Sequence, residues 1–86
     1  MSENQPFIDA QARVKTLKSV PSNNDLLELY SLYKQATTGD ASGARPGIFD
    51  MKGRAKFDAW TGKKGVARED AEKQYVAVVE RLSSKG

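Results

Sequence analysis

The 86-residue sequence predicts an all-α fold: one bundle of four helices, with a long loop between the second and third. Three observations predict it. Apolar residues recur at spacings of three and four in four separate stretches, the period of a helix. Strand signals are weak, with no Asn-Gly or Asp-Gly turn between apolar runs. One stretch, Thr38-Gly-Asp-Ala-Ser-Gly-Ala-Arg-Pro-Gly47, is dense in turn formers. It exceeds the few residues usual between helices, which points to a function or to a wrapped crossover.

The first helix is expected over about residues 5–18. Phe7, Ala10, Val14 and Leu17 form its stripe, and Pro6 sits in the first turn, where a missing N–H costs nothing. Lys15 and Lys18 fall near its end, where the helix dipole favours positive charge. Val20-Pro21 breaks it. Ser22-Asn-Asn-Asp25 reads as a capping box opening a second helix over 23–37, with Leu26, Leu29, Tyr30 and Tyr33 on one face and Leu27 beside them. The third helix starts near Asp50 and ends by Gly62 or Gly65. Met51, Ala55 and Trp60 are spaced for burial, with Phe57 three residues before Trp60, while Gly53 weakens the helix by about 1 kcal/mol relative to Ala. The fourth carries Ala71, Tyr75, Val78, Val79 and Leu82. Glu69, Asp70 and Glu72 load its start and Arg81 and Lys85 its end, as the dipole prefers.

Composition narrows the chemistry. A length of 86 residues is one domain. With 38% hydrophobic and 29% charged residues the chain lies outside the disordered class. Having no His and no Cys, it lacks the commonest general base, the usual zinc ligands and a thiol nucleophile. No phosphate-cradling glycine motif occurs, and Glu69-Asp70 stands where acids at a helix start are expected. The reading is therefore not an enzyme, with no cofactor and no metal. No secretory leader and no membrane-spanning run is read from the sequence, so a soluble, cytoplasmic monomer is expected.

Charge is uneven. Residues 41–64 hold six basic against two acidic residues, and residues 11–20 add Arg13, Lys15 and Lys18 with no acid, within a net charge of +3. Such a surface can receive an anion. On a helix Tyr30 and Lys34 stand one turn apart, with Tyr33 beside them, and an aromatic ring next to an ammonium suits a flat base bearing a phosphate. Lys52 and Lys56 repeat that spacing. Spacing alone favours a plainer account, in which the tyrosines are core with wet hydroxyls and the lysines are solvated. Three ligand classes stay open at this level: a nucleotide-bearing small molecule, a nucleic acid, and a helical protein partner. The modest net charge and the absence of any nucleic-acid-binding signature count against the second.

The residues Tyr30-Ser-Leu-Tyr-Lys-Gln-Ala-Thr37, Gly39-Asp40, Arg45-Pro-Gly47, Lys56-Phe-Asp-Ala-Trp60, Lys64-Gly65, Glu69-Asp-Ala71 and Tyr75, in that order, resemble the acyl-CoA-binding protein family. The resemblance spans essentially the whole chain, so residues 1–86 are expected to form one acyl-CoA-binding domain. It implies an up-down-down-up bundle with an overhand link between the second and third helices. It also implies a non-catalytic carrier of medium- to long-chain acyl-CoA esters that serves acyl-CoA-using enzymes as transient partners. By the same resemblance Tyr30 stacks on adenine, and Tyr33, Lys34 and Lys56 hold the ribose 3′-phosphate. Lys15 and Tyr75 add head-group contacts, Lys52 is a further member, and Leu26, Leu27 and Ala55 line the acyl groove. Phe7 and Ala10 match first-helix positions close to the head group. The alternative is a helical partner-binding or signalling peptide without a lipid ligand. Three positions depart from the family pattern: Phe57 replaces a usual Trp, Gln11 a small apolar residue, and Val66-Ala67 a Thr-Ser pair. The last removes a hydroxyl cap worth about 1 kcal/mol.

Overall fold

The computed structural model describes residues 4–84, and these form four helices: α1 (Gln5–Val14), α2 (Asn23–Thr37), α3 (Met51–Thr61) and α4 (Arg68–Ser84). Each start has a local cause. Asn4 caps α1 by accepting the Phe7 N–H at 3.1 Å, and Ser22 caps α2 by accepting the Asp25 N–H at 3.1 Å. Asp50 caps α3 by accepting the Gly53 N–H at 2.9 Å. That cap explains Gly53, since a Cβ there would run into the Asp50 carboxylate. α4 begins without a hydroxyl. The carbonyl of Ala67 accepts the Ala71 N–H at 2.9 Å, and Glu69 and Asp70 offset the dipole instead. At the other end of α4 Arg81 stands in the last turn, while Lys85 lies outside the described residues.

α1 is shorter than its stripe suggests. It ends at Val14, and Lys15 and Thr16 close it in a tight turn by bonding back three residues, to Ala12 and Arg13. Thr16 Oγ1 also donates to the Arg13 carbonyl at 2.9 Å, so a β-branched hydroxyl takes the acceptor that helix propagation needs. Lys15 is thus a C-cap, and Leu17 lies beyond the helix.

The contacts fix the helix directions. Asn4 bonds Glu72 and Phe7 meets Tyr75, so α1 and α4 run parallel. Arg81 pairs with Asp25 while Gln35 bonds the Val66 carbonyl, so α2 and α4 are antiparallel. Lys56 sits over Tyr30, and Trp60 bonds the Gly39 carbonyl beyond the end of α2, so α2 and α3 are parallel. The order is up-down-down-up. Parallel neighbours need a link that returns the length of α2, which at 15 residues is about 22 Å. Residues 38–50 supply it.

That link is pinned at three places. Trp60 Nε1 donates to the Gly39 carbonyl at 2.7 Å. Asp40 Oδ1 accepts from Gln35 Nε2 at 2.8 Å and from the Gly65 N–H at 2.9 Å. Arg45 forms a two-pronged pair with Asp58 at 2.9 and 2.6 Å. Gly39 follows the end of α2 at φ 98°, a left-handed conformation that a side chain would strain.

The core joins Phe7 and Ala10 of α1, Leu29, Leu32 and Ala36 of α2, and Ala71, Tyr75 and Val79 of α4. Two expectations change here. On α2 the buried stripe runs through Leu29, Leu32 and Ala36, whereas Leu26 and Tyr33 are exposed and Tyr30 and Leu27 half-buried. On α3 only Trp60 is buried, and Met51 is 78% exposed. The reason is shared: α4 covers one side of α2, and α3 meets its other side without closing over it. Among the described residues no helix is long and apolar enough to cross a membrane.

The Gly65 N–H and the Gln35 amide hold the Asp40 carboxyl below its ordinary value of 3.8, and the Arg45 guanidinium does the same for Asp58. A carboxyl depressed in the folded state contributes stability above its unfolded pKa and loses it as pH falls through the folded one. The thermal midpoint should therefore be level above about pH 5 and decline as acid is added below about pH 4. Asp40→Asn should lower the neutral-pH midpoint and flatten part of that decline. Coincident midpoint-against-pH curves would deny Asp40 this role.

Candidate ligand-binding site

The uncovered side of α2 and the facing side of α3 make a groove of about 460 Å³, lined by Asn23, Leu26, Leu27, Met51, Lys52, Ala55 and Lys56. Its floor is apolar and its rim basic. The three residues expected to line an acyl groove, Leu26, Leu27 and Ala55, therefore come together, with Lys52 and Lys56 beside them. Met51, expected in the core, is a wall of this groove instead.

Next to the groove lies the aromatic–lysine set. Lys56 Nζ stands 5.3 Å from the centre of the Tyr30 ring, and Lys34 Nζ stands 4.9 Å from that of Trp60. Sequence spacing pairs Tyr30 with Lys34 along α2. The structure instead gives each lysine a ring from the opposite helix, so two ammonium groups are steered from α2 and α3 together. Phe57 keeps an edge contact on Trp60 at 6.2 Å and 73°.

Phe7 joins the tyrosines. Its ring stacks on Tyr33 at 6.4 Å and meets Tyr75 edge-on at 5.1 Å. Tyr33 is 40% exposed and Tyr75 is buried. Burial, then the proximity of Tyr33, pushes the Tyr75 hydroxyl above its ordinary pKa of 10.0. Lys15 stands apart: it is exposed at the end of α1, and no contact among the described residues joins it to the others. Gln11 donates to the Phe7 carbonyl of its own helix at 3.3 Å.

Four carboxylate pairs occur among the described residues, on Arg45, Lys63, Arg68 and Arg81. Lys15, Lys34, Lys52 and Lys56 are not in them. Among the described residues these four ammonium groups form no ion pair, which suits capture of an anion from solution. Two residues that sequence reasoning left out of the site shape it. Trp60 carries Lys34, and buried Gln35 anchors the link to the start of α4 by donating to Asp40 and to the Val66 carbonyl. Gln35 inside a string of tyrosines and leucines is the visible signal, because a buried amide must find partners.

The arrangement matches known proteins. The family model described as acyl CoA binding protein matches residues 4–79. The chain is 58% identical over 79 residues to acyl-CoA-binding protein homolog 1 of Caenorhabditis elegans, covering 92% of each chain. It is 51% identical over 81 residues to the acyl-CoA-binding protein of Saccharomyces cerevisiae, covering 94% of this chain and 93% of that one. Its fold superposes on the crystal structure of Oryza sativa acyl-CoA-binding protein 2 with a TM-score of 0.89 at 42% identity, over 94% of this chain and 90% of the other. With an apolar groove, a basic aromatic rim and relatives this similar over nearly their whole length, the chain belongs to the acyl-CoA-binding protein family.

Proposed function

We propose that this chain is a non-catalytic carrier of medium- to long-chain acyl-CoA esters. One observation carries the reading: an apolar groove opens beside rings and lysines that stand outside the ion pairs of the described residues. The ligand has the same two parts, a greasy tail and a polyanionic nucleotide. Tyr30 stacks on adenine. Tyr33, Lys34 and Lys56 hold the 3′-phosphate, Tyr75 and Lys15 complete the head-group contacts, and Lys52 supports the rim. Leu26, Leu27 and Ala55 take the tail. The whole chain acts as one binding domain. It works as a monomer in the cytoplasm, keeps a membrane-active thioester in solution and hands it to acyl-CoA-using enzymes. Charge pairing fixes the ligand's orientation and separates it from a free fatty acid.

Native purification followed by mass spectrometry tests the reading. The expected result is retained acyl-CoA; a protein that comes through empty and ignores added acyl-CoA would refute it. Tyr30→Ala should weaken every acyl-CoA by about 1–3 kcal/mol, because it removes the stacking face, and Tyr30→Phe should change little. Lys34→Ala should weaken all chain lengths by a similar factor and leave the length preference intact. Altered preference would place Lys34 at the tail.

A further inference from the structure

The link enters α3 through a tight turn, in which the Asp50 N–H donates to the Gly47 carbonyl at 2.9 Å. Ile48 and Phe49 are the two central residues of this turn. Turns usually place Gly, Pro, Asn or Asp there. Here two large apolar side chains point into water, Ile48 70% and Phe49 97% exposed. Neither is explained by the core or by the groove. Ile8 and Val20 are exposed singly elsewhere, but Ile48 and Phe49 shortly precede Met51 in the chain, which is 78% exposed and lines the groove with Leu26. A local rule broken at one place, beside the site, is a sign of function.

We infer that the Ile48–Phe49 turn is a wedge that docks the carrier on anionic lipid bilayers, with the groove at the water–lipid boundary. The inference deepens the carrier reading and rests on it for its purpose, since a long-chain thioester resides in bilayers. Two features select a bilayer over a protein partner. The apolar tip is a convex turn of two side chains, far smaller than the roughly 800 Å² that a stable protein interface covers per partner. Exposed Lys52 and Lys56 follow it within two turns of α3, inside a segment of six basic and two acidic residues. Neither signal alone holds a protein at a membrane, but an apolar insertion plus basic charge does so reversibly. Phe49 and groove-lining Met51 are two residues apart, so insertion of the turn brings the groove to within about 7 Å of chain from the acyl layer. The tail then passes from bilayer to groove with little exposure to water.

Co-sedimentation of the full chain with ligand-free vesicles tests this, using phosphatidylcholine alone and phosphatidylcholine with phosphatidylserine at about three to one. The chain should pellet with the anionic vesicles, be released by salt, and stay in solution with the neutral ones. Ile48→Ser combined with Phe49→Ser should cut retention by about tenfold or more. In calorimetry with a soluble acyl-CoA the same variant should match the parent within about twofold, since neither residue lines the groove. The Phe49→Trp variant should shift its emission to the blue on anionic vesicles, against the constant signal of buried Trp60. A parent that stays in solution, a double variant that pellets equally, or an unshifted emission from the Phe49→Trp variant would each overturn the inference. If the double variant instead slows transfer to an acceptor enzyme without vesicles, while vesicle binding is unchanged, the turn is a protein-docking surface and the bilayer assignment falls. Failure of the parent to bind acyl-CoA would refute the carrier reading alone, because the vesicles carry none.

Discussion

Coenzyme A without an acyl chain is expected to bind about a hundred- to a thousandfold more weakly than a long-chain acyl-CoA. A fully buried methylene gains about 0.8 kcal/mol, so a long chain offers roughly 10 kcal/mol gross. Two effects reduce that figure. The groove between α2 and α3 is open along one side, so each methylene keeps part of its contact with water. Ordering a freely rotating chain also costs entropy. A net gain of about 3–4 kcal/mol remains, which is the factor stated. In the proposed binding mode the head group supplies the rest, through Tyr30, Lys34 and Lys56, and it is common to every ligand. Titration calorimetry with graded acyl lengths should show affinity rising by about twofold per methylene, half the fully buried slope on a logarithmic scale, and then a plateau once the chain outruns the groove. Equal affinity for coenzyme A with and without a chain would show that the tail lies outside the groove.

The helices are legible in the sequence because each is specified locally. Ser22 and Asp50 announce their starts, and residues 38–50 announce a link too long for an antiparallel hairpin. Topology is legible only through the resemblance, since no local spacing says that α2 and α3 run parallel. The same limit applies within the site. Periodicity places Tyr30 near Lys34, but the ring under Lys34 is Trp60 and the cation over Tyr30 is Lys56. Those pairs come from the register between two helices, which depends on packing rather than on either helix alone. The buried face of α2 differs from the expected one for a related reason. The helix is apolar on two sides, and a hydrophobic stripe does not say whether core or ligand will cover it. Leu29, Leu32 and Ala36 enter the core shared with α1 and α4, while Leu26 and Leu27 are left to the groove and Tyr30 stands beside it under Lys56. Met51 shows the ambiguity on α3, since a methionine at a burial spacing also serves as a groove wall.

The two faces of α2 should separate under mutation. Leu32 is 0% exposed at the centre of the core, so Leu32→Ala removes buried methylenes and leaves a cavity at a cost of about 2–5 kcal/mol. A domain of this size has only about 4–13 kcal/mol in hand, and the thermal midpoint should fall by roughly 10–30 °C. Acyl-CoA affinity, measured well below the new midpoint, should stay within about twofold of the parent, because Leu32 belongs to the core and does not line the groove. Leu27→Ala should do the reverse. Leu27 is half-buried and lines the groove, so its loss should move the midpoint by only a few degrees and lower long-chain acyl-CoA affinity by about tenfold. Affinity for coenzyme A alone should not change. Thermal melts and calorimetry on the two variants therefore form a crossed pair. If Leu27→Ala weakened coenzyme A and acyl-CoA equally, its effect would come through the fold or the head group, and the tail would have to lie against another surface than the one between α2 and α3.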